Sequence, residues 1–316
     1  MSDEIKKEVL VEKINQRLQE EDKIKKYNKV LKNTLERIEE KTSKMFTKAN
    51  DDGSWSKGKM NKYNRLTKLK KQVRTEIRNY RDDFEKKLID GLADNYKQQS
   101  LFTQDYITAT TNSSFSKLPT KAVKATIKDL KIKGKTLHEY LMKYGTDFSF
   151  NAEQEILTSI NLGENPQKTA KRLAEVGDKA RHRMEATTRS WANRAHNKAS
   201  LDTYNQAGIS KAEYMATLDS ATCPICSAKD GKIYNIENVP TLPQHVNCRC
   251  TTAPVVDPDD YDKSKSYEEW LKDGRRSKNQ LNKIKARLER YYKNGRIQEK
   301  EYSKLKNVLD NVIKQR

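Results

Sequence analysis

The stretch from Leu218 to Val256 decides the fold and reads LDSATCPICSAKDGKIYNIENVPTLPQHVNCRCTTAPVV. It contains all four cysteines of the protein, one of its four histidines and four of its seven prolines. The rest of the chain is rich in lysine and carries hydrophobic residues at helical spacing. We therefore expect a small, differently built module on a basic helical protein.

Five residues of this stretch could bind a metal ion. Cys223 and Cys226 form a Cys-x-x-Cys pair, whose turn points both sulfurs to one side, as half of a tetrahedral zinc site requires. His245, Cys248 and Cys250 offer three ligands for the other half, and the last two would share one face if they lay on a strand. The sequence predicts structural zinc. It leaves open which four residues bind, or whether His245 only orients a ligand.

Disulfide bonds and redox chemistry are the alternatives for these cysteines. Their even number allows disulfides, but they are confined to one window of a long chain, unlike those of a small secreted scaffold. Residues 1–10 are charged and do not form an apolar signal segment, so we expect synthesis in a reducing cytosol. A redox Cys-x-x-Cys is typical of a βαβ pattern, which is not predicted here. These observations favour zinc.

The hydrophobic periodicity changes around the cysteines. Residues 212–218 alternate and predict a strand. Asp230 and Gly231 predict a turn, residues 232–234 a short strand after it, and residues 249–256 a third strand. We therefore expect a small antiparallel sheet held by metal, in which Asp230 and Gly231 are structural.

The order of these motifs resembles the phage Mu F-like head morphogenesis family, which comprises minor head proteins of tailed bacteriophages. The family pattern is a threonine or serine before Cys-x-x-Cys, then an Asp-Gly turn, then Pro-x-His-x-Asn-Cys-Arg-Cys and a proline. The matching residues are Asp219, Thr222–Cys226, Asp230–Lys232, Pro243–Cys250 and Pro254. Residues 188–195 resemble the preceding helix of the family, although Arg189-Ser190-Trp191 stands where Arg-Thr-Glu is usual. The resemblance covers roughly residues 151–256.

The resemblance implies a head protein near the portal that is needed for head assembly or for DNA packaging and delivery. Its implied partners are the portal and the scaffold or capsid protein. Its implied location is the capsid interior of the virion, after assembly in the host cytoplasm.

The overall composition indicates a polyanionic partner. The chain has 316 residues, enough for about two domains, of which 34% are hydrophobic and 34% charged. The core is therefore thin for this length, which favours elongated helices. The net charge of +20 and the excess of lysine over arginine favour sequence-independent binding of double-stranded DNA through phosphates. No apolar run approaches the ~20 residues of a membrane span.

The segment 57–81 is the strongest candidate for nucleic-acid binding. It has ten basic residues and one acid, Glu76, with Trp55, Tyr63 and Tyr80 interleaved. Because acids are nearly absent, the i,i+4 ion pairs of an ordinary solvated helix face cannot form. We predict contact with nucleic acid, and an acidic protein surface is the alternative. The candidate residues are Lys57, Lys59, Lys62, Arg65, Lys68, Lys70, Lys71, Arg74, Arg78 and Arg81.

Caps and breaks place the other helices. A turn at 50–54 separates two long helices, which predicts an antiparallel helical hairpin. Asn151 and Asn165 are predicted N-caps, the latter followed by a proline. Gly177 is predicted to end a helix, after which a new helix begins.

We therefore predict a mainly α protein, built of long basic helices and helical hairpins, with a small zinc-held antiparallel β module. An N-terminal basic hairpin region spans 1–110 and a basic linker or helical segment spans 111–150. A Mu F-like domain spans 151–256, with its β module at 212–256. A linker and a C-terminal basic helical hairpin span 257–316.

Enzymatic alternatives have weak support in the sequence. Gly134-Lys135-Thr136 lacks the earlier glycine of a phosphate-binding loop. A zinc-dependent nuclease would need an open metal position and a general base, for which Asp219, Asp230 or Glu237 could serve. A thiolate-rich ligand set is typical of a closed structural site, so we expect no enzymatic activity. An assembly adaptor that does not bind DNA is a further alternative.

Overall fold

The computed structural model describes most of the chain. The described residues are 3–110, 115, 118–217, 222–255, 278, 281, 282, 285, 286, 289, 292 and 299–315. The protein is mainly helical with small antiparallel sheets, as predicted. Within the described ranges, no helix combines the length and the apolar character that crossing a membrane requires.

The first half of the chain folds into long helices separated by two tight hairpins. Its elements are α1 (Asp3–Phe46), β1 (Asn50–Asp51), β2 (Ser54–Trp55), α2 (Lys57–Asn61), α3 (Arg65–Thr110), α4 (Thr120–Asp129), β3 (Lys131–Ile132), β4 (Lys135–Thr136) and α5 (Leu137–Asn161). The elements of the second half are α6 (Pro166–Gln206), β5 (Lys211–Met215), α7 (Pro224–Ser227), β6 (Ile233–Asn235), β7 (Thr251–Val255) and α8 (Glu299–Lys314).

Helices α1, α3, α5 and α6 share one hydrophobic core. Apolar side chains at helical spacing build it, among them Leu31, Ile77, Phe148 and Trp191, each at most 3% exposed. The predicted boundary at residue 150 falls inside α5. The division into domains stays a prediction.

The predicted turn between the first two long helices is confirmed as the β1–β2 hairpin. Asp52 and Gly53 take positive φ values there, of 45° and 78°. The expectation of one helix through the basic segment is wrong, because Tyr63 and Asn64 have left-handed backbone conformations that separate α2 from α3. Residues 57–64 therefore lie outside the axis of α3.

Two predicted helix ends are wrong. Asn151 lies inside α5, which begins after Thr136, where a capping box with Glu139 satisfies the first turn. Gly177 lies inside α6, because a Cβ at this position would overlap the Leu35 side chain of α1. Here glycine permits close helix packing. The predicted cap at Asn165 is confirmed, since its side chain accepts a hydrogen bond from the backbone N–H of Lys168.

The predicted β module is confirmed as a three-stranded antiparallel sheet in the order β6-β5-β7. Lys211 pairs with Asn235 on one side of β5 and with Val255 on the other. Gly231, at φ 72°, forms the predicted turn before β6. The sheet packs on α6 through β7 and also contacts α1.

The described C-terminal residues form a separate small cluster. Its buried side chains are Leu281, Leu309 and Val312. Tyr292 stacks on Tyr302 with ring centroids 4.2 Å apart. The linker predicted after residue 256 and much of the predicted C-terminal hairpin lie outside the described residues.

Candidate metal centre

Helix α6 positions the cysteine-bearing loop through two buried asparagines. The Asn193 amide donates to the carbonyl oxygens of Cys248 and Cys250, at 2.7 and 3.3 Å. The Asn197 amide also donates to the carbonyl oxygen of Cys250, at 3.3 Å. Thr217 Oγ1 donates to the carbonyl oxygen of Arg249 from the end of β5, at 3.1 Å. The loop is therefore fixed from both the helix and the sheet.

The structure brings all five predicted ligands together. Two groups of three have their ligand atoms within 4.8 Å of one another, and Cys226 belongs to both. The first group adds Cys223 and His245, and the second adds Cys248 and Cys250. The last two residues precede β7, so they converge through a turn and not through the strand face considered from the sequence.

Two distances within the cluster are close to those between the ligands of a tetrahedral zinc ion. Cys226 Sγ lies 3.3 Å from His245 Nε2 and 4.0 Å from Cys248 Sγ. Ligands about 2.3 Å from zinc at tetrahedral angles lie about 3.8 Å apart. Within each group of three the donors are therefore close enough to bind one ion, but among the described residues no four of them all lie within 4.8 Å of one another.

Hydrogen bonds orient two of these side chains. His245 Nδ1 donates to the carbonyl oxygen of Val246 at 2.9 Å, which leaves the Nε2 lone pair facing Cys226. The Tyr214 hydroxyl donates to Cys226 Sγ at 3.5 Å. Metal-binding histidines commonly show this arrangement, with one nitrogen held by a carbonyl.

The thiols differ in acidity. A hydrogen bond from the Cys250 thiol lowers the pKa of Cys248 to about 5, and the same contact raises the pKa of Cys250. The backbone N–H of Cys226 lowers the pKa of Cys223, while burial raises the pKa of Cys226. The cluster already favours thiolate at Cys248, the form that binds metal.

Of the carboxylates considered as a general base, Asp230 and Glu237 are not among the convergent donors of the described residues. Asp230 Oδ1 accepts a hydrogen bond from the backbone N–H of Ala216 at 2.8 Å, which confirms its structural role. Glu237 is exposed on the 3-10 turn at 236–238, and Asp219 lies outside the described residues. Within the described ranges, the convergent donors are thiols and one imidazole, as in closed zinc sites.

The basic segment is more heterogeneous than its composition indicates. Three of the ten candidate residues form ion pairs: Lys59 with Asp51, Arg74 with Glu153, and Arg81 with Asp82. Arg65 donates to the carbonyl oxygen of Lys59 and lies over the Tyr63 ring. The other six have no acidic partner within 4 Å among the described residues, namely Lys57, Lys62, Lys68, Lys70, Lys71 and Arg78.

Two interleaved aromatic residues of this segment belong to the core and not to its surface. Trp55 is buried, and its indole N–H donates to Thr169 Oγ1 at 3.1 Å. Tyr80 is also buried and packs near Phe84. Tyr63 is 77% exposed, so it alone of the three could stack on a base.

Comparison with known proteins gives a family match and a curated relative that matches in part. A family model, Phage Mu protein F like protein, matches residues 151–253. NAD(+)–arginine ADP-ribosyltransferase EFV of Enterococcus faecalis (strain ATCC 700802 / V583) is 28% identical over 171 residues, which cover 45% of this chain and 35% of that protein. The chain thus spans about a third of the length of this curated relative. No solved structure matches. The matched residues 151–253 contain α6 and every candidate ligand, and over this part the chain is similar to the phage Mu F-like family.

Proposed function

We propose that this chain is a minor head protein of a tailed phage that lies inside the capsid near the portal. It acts there in head assembly and in the packaging or delivery of DNA. The observation that supports this proposal is the family match over 151–253, whose segment folds into α6 and the Cys/His module. In this proposal the convergent thiols hold a short sheet that has little core of its own.

Zinc has a structural role in this proposal. Cys223, Cys226 and His245, together with Cys248 or Cys250, hold the ion. Zinc supplies the binding energy that a module of this size cannot obtain from apolar burial alone. Asn193 and Asn197 of α6 hold this ordered loop against the helical part of the protein through their hydrogen bonds to the Cys248 and Cys250 carbonyls.

DNA contacts the exposed cations of the basic segment. Lys68, Lys71 and Arg78 lie on the side of α3 opposite its buried residues, within about 15 Å along the helix axis. Lys57 and Lys62 extend this surface beyond the kink. These side chains contact phosphates without reading bases, so binding is independent of sequence.

The head function is tested in the phage that encodes the chain. Deleting the gene should leave heads without DNA or stop their assembly, and the chain should be present in DNA-filled wild-type particles. Particle density and mass spectrometry measure both. Normal numbers of filled heads in the deletion strain, with no chain in purified wild-type virions, would refute the proposal.

Enzymatic activity is tested on the same purified protein. The name of the enterococcal relative includes arginine ADP-ribosylation, and the zinc site raises the question of nuclease activity. We expect neither labelled ADP-ribose on an arginine-rich substrate nor cleavage of duplex DNA with added zinc or magnesium. Turnover that Cys226→Ser abolishes would identify an enzyme instead.

A further inference from the structure

A cavity of about 370 Å³ lies between the helical core and the Cys/His loop. The β3–β4 hairpin and α5 form one wall, α6 forms the floor, and the loop at 243–246 forms the opposite wall. Its volume is at the lower end of the ~300–1,000 Å³ range of ligand pockets. The cavity is separate from the basic surface of α3, and it shares His245 with the candidate metal cluster.

The floor of the cavity is apolar. Trp191 and Tyr144 are buried there, and Pro243 closes the side toward the loop. The polar groups of the floor already have partners: the Tyr144 hydroxyl donates to the carbonyl oxygen of Ala180, and Ser190 Oγ accepts from the backbone N–H of Asn247. The floor therefore suits a hydrocarbon or aromatic side chain better than a base with its hydrogen-bonding edges.

The rim of the cavity is cationic. Its one acid, Asp147, is already paired with Lys143 and Arg183, at 3.3 and 3.0 Å. Lys133 and Lys135 lie exposed on the hairpin and have no acidic partner within 4 Å in the described part of the chain. Two positive charges thus flank an apolar cavity and favour an acidic ligand.

We propose that this cavity binds a segment of a partner protein in which a large apolar side chain is flanked by carboxylates. The apolar side chain fills the space over Trp191, and the carboxylates pair with Lys133 and Lys135. A head protein binds other proteins of the head. This inference describes the chemistry of such a partner, so it rests on the proposed function.

The Cys/His loop makes this binding dependent on metal. Pro243, His245 and Val246 form one wall of the cavity, and His245 is also a candidate ligand. The same loop is tied to α6 through Asn247 and Ser190. When zinc is removed, the wall loses its anchor, and the segment binds more weakly.

The test uses three fluorescein-labelled peptides and purified full-length chain. The first is Asp-Asp-Phe-Asp-Asp, the second replaces its phenylalanine by alanine, and the third replaces its aspartates by serine. We expect the first to bind at least about tenfold more tightly than either of the others, because only it combines anchor and charge. Fluorescence polarisation up to about 1 mM protein measures the dissociation constants.

Two substitutions locate the binding site. Lys133→Asn with Lys135→Gln removes the two rim charges, and asparagine tolerates the left-handed backbone at position 133. Val246→Asp places a carboxylate on the opposite wall, at a side chain that is 60% exposed. Each should weaken the first peptide about tenfold. The matched control, Lys121→Asn with Lys128→Gln on exposed positions of α4, should leave it unchanged.

Three outcomes would overturn the proposal. These are equal affinity for the three peptides, no binding at about 1 mM, or binding that both pocket variants retain. Binding of a thymidine dinucleotide that is lost in Val246→Asp, without peptide binding, would assign the cavity to nucleic acid instead. The assay contains neither phage nor duplex DNA, so its result and that of the gene deletion can fail independently.

Discussion

The Cys/His module and the basic segment at 57–81 differ in how their polar groups are satisfied. In the module, thiols, backbone carbonyls and the His245 imidazole have partners inside the module or on α6. In the basic segment, six of ten cations have neither an acidic partner nor a hydrogen-bond acceptor among the described residues. The module is therefore a closed unit whose parts depend on one another, whereas the segment is an open surface of separate charges. Substitutions should act cooperatively in the first and additively in the second.

The largest effect should come from Cys226→Ser. Cys226 belongs to both ligand groups, so its loss removes zinc from either set. Zinc binding contributes ~10–16 kcal/mol in zinc-finger peptides, which exceeds or equals the whole stability of a typical domain. We expect about one zinc per chain in the wild type, almost none in the variant, and an unfolded module. Metal analysis and hydrogen exchange of β5 and β7 measure these outcomes.

The other cysteines sharpen this result. Single serine substitutions at Cys223, Cys248 and Cys250 test whether one of these thiols is spare, because the variant that lacks only a spare thiol should keep its zinc. Ser227→Ala is the matched control, because Ser227 is exposed next to Cys226 and is outside the donor set. A wild-type protein without zinc after purification under reducing conditions would remove the metal from the proposal.

Asn193→Ala should have the next largest effect. It leaves the buried Cys248 carbonyl without this donor, whereas the Cys250 carbonyl keeps Asn197. An unsatisfied buried group costs ~1–3 kcal/mol, so we expect a loss of about 2 kcal/mol in the free energy of unfolding and weaker zinc binding. Urea denaturation and zinc competition measure the two quantities.

The control for this substitution is Asn205→Ala, an exposed asparagine near the end of the same helix. It should change the free energy of unfolding by less than about 0.5 kcal/mol. If Asn193→Ala behaves like the control, α6 does not hold the loop.

These two asparagines show what the sequence could and could not predict. The cluster of candidate ligands was predictable because neighbours such as Cys223 and Cys226 are brought together by local turns. Asn193 lies more than fifty residues from the carbonyls that it binds, so only the fold pairs them. The signal available in the sequence was an asparagine pair at i and i+4 on one helix face.

Packing explains the other differences between expectation and structure. Gly177 looked like a helix end, but it allows α6 to approach Leu35 of α1. His196 is buried near Glu20, and burial holds its pKa well below the usual range. Trp55 and Tyr80 looked like part of a nucleic-acid surface and are core residues. Residue type alone does not reveal which face of a helix meets another element.

The basic surface should lose affinity in small, additive steps. We expect Lys68→Ser, Lys71→Ser and Arg78→Ser together to lower duplex DNA affinity about tenfold at low salt. Each lost phosphate contact should reduce the slope of log affinity against log salt by about 0.9, and three contacts by about 2.7. Titrations at several salt concentrations measure both values. An affinity that does not depend on salt in the wild type would exclude phosphate binding.

The smallest effect on DNA affinity should come from Arg74→Ala, although Arg74 lies between Lys71 and Arg78 on the same helix. Its guanidinium forms a bidentate ion pair with Glu153 of α5, with Nη2 2.8 Å from Oε2. Because Glu153 is buried and its partner would be lost, the free energy of unfolding should fall by about 1–2 kcal/mol.

Arg78→Ala is the matched control and should show the reverse pattern, with weaker DNA binding and unchanged stability. The pair of variants thus separates cations that hold the helices together from cations that are free for DNA. Equal loss of DNA affinity in both variants would mean that the Glu153 ion pair opens on binding. The DNA-binding surface would then include Arg74 in addition to the six unpaired cations. Unlike the closed Cys/His module, the basic segment would use residues that are paired in the free protein.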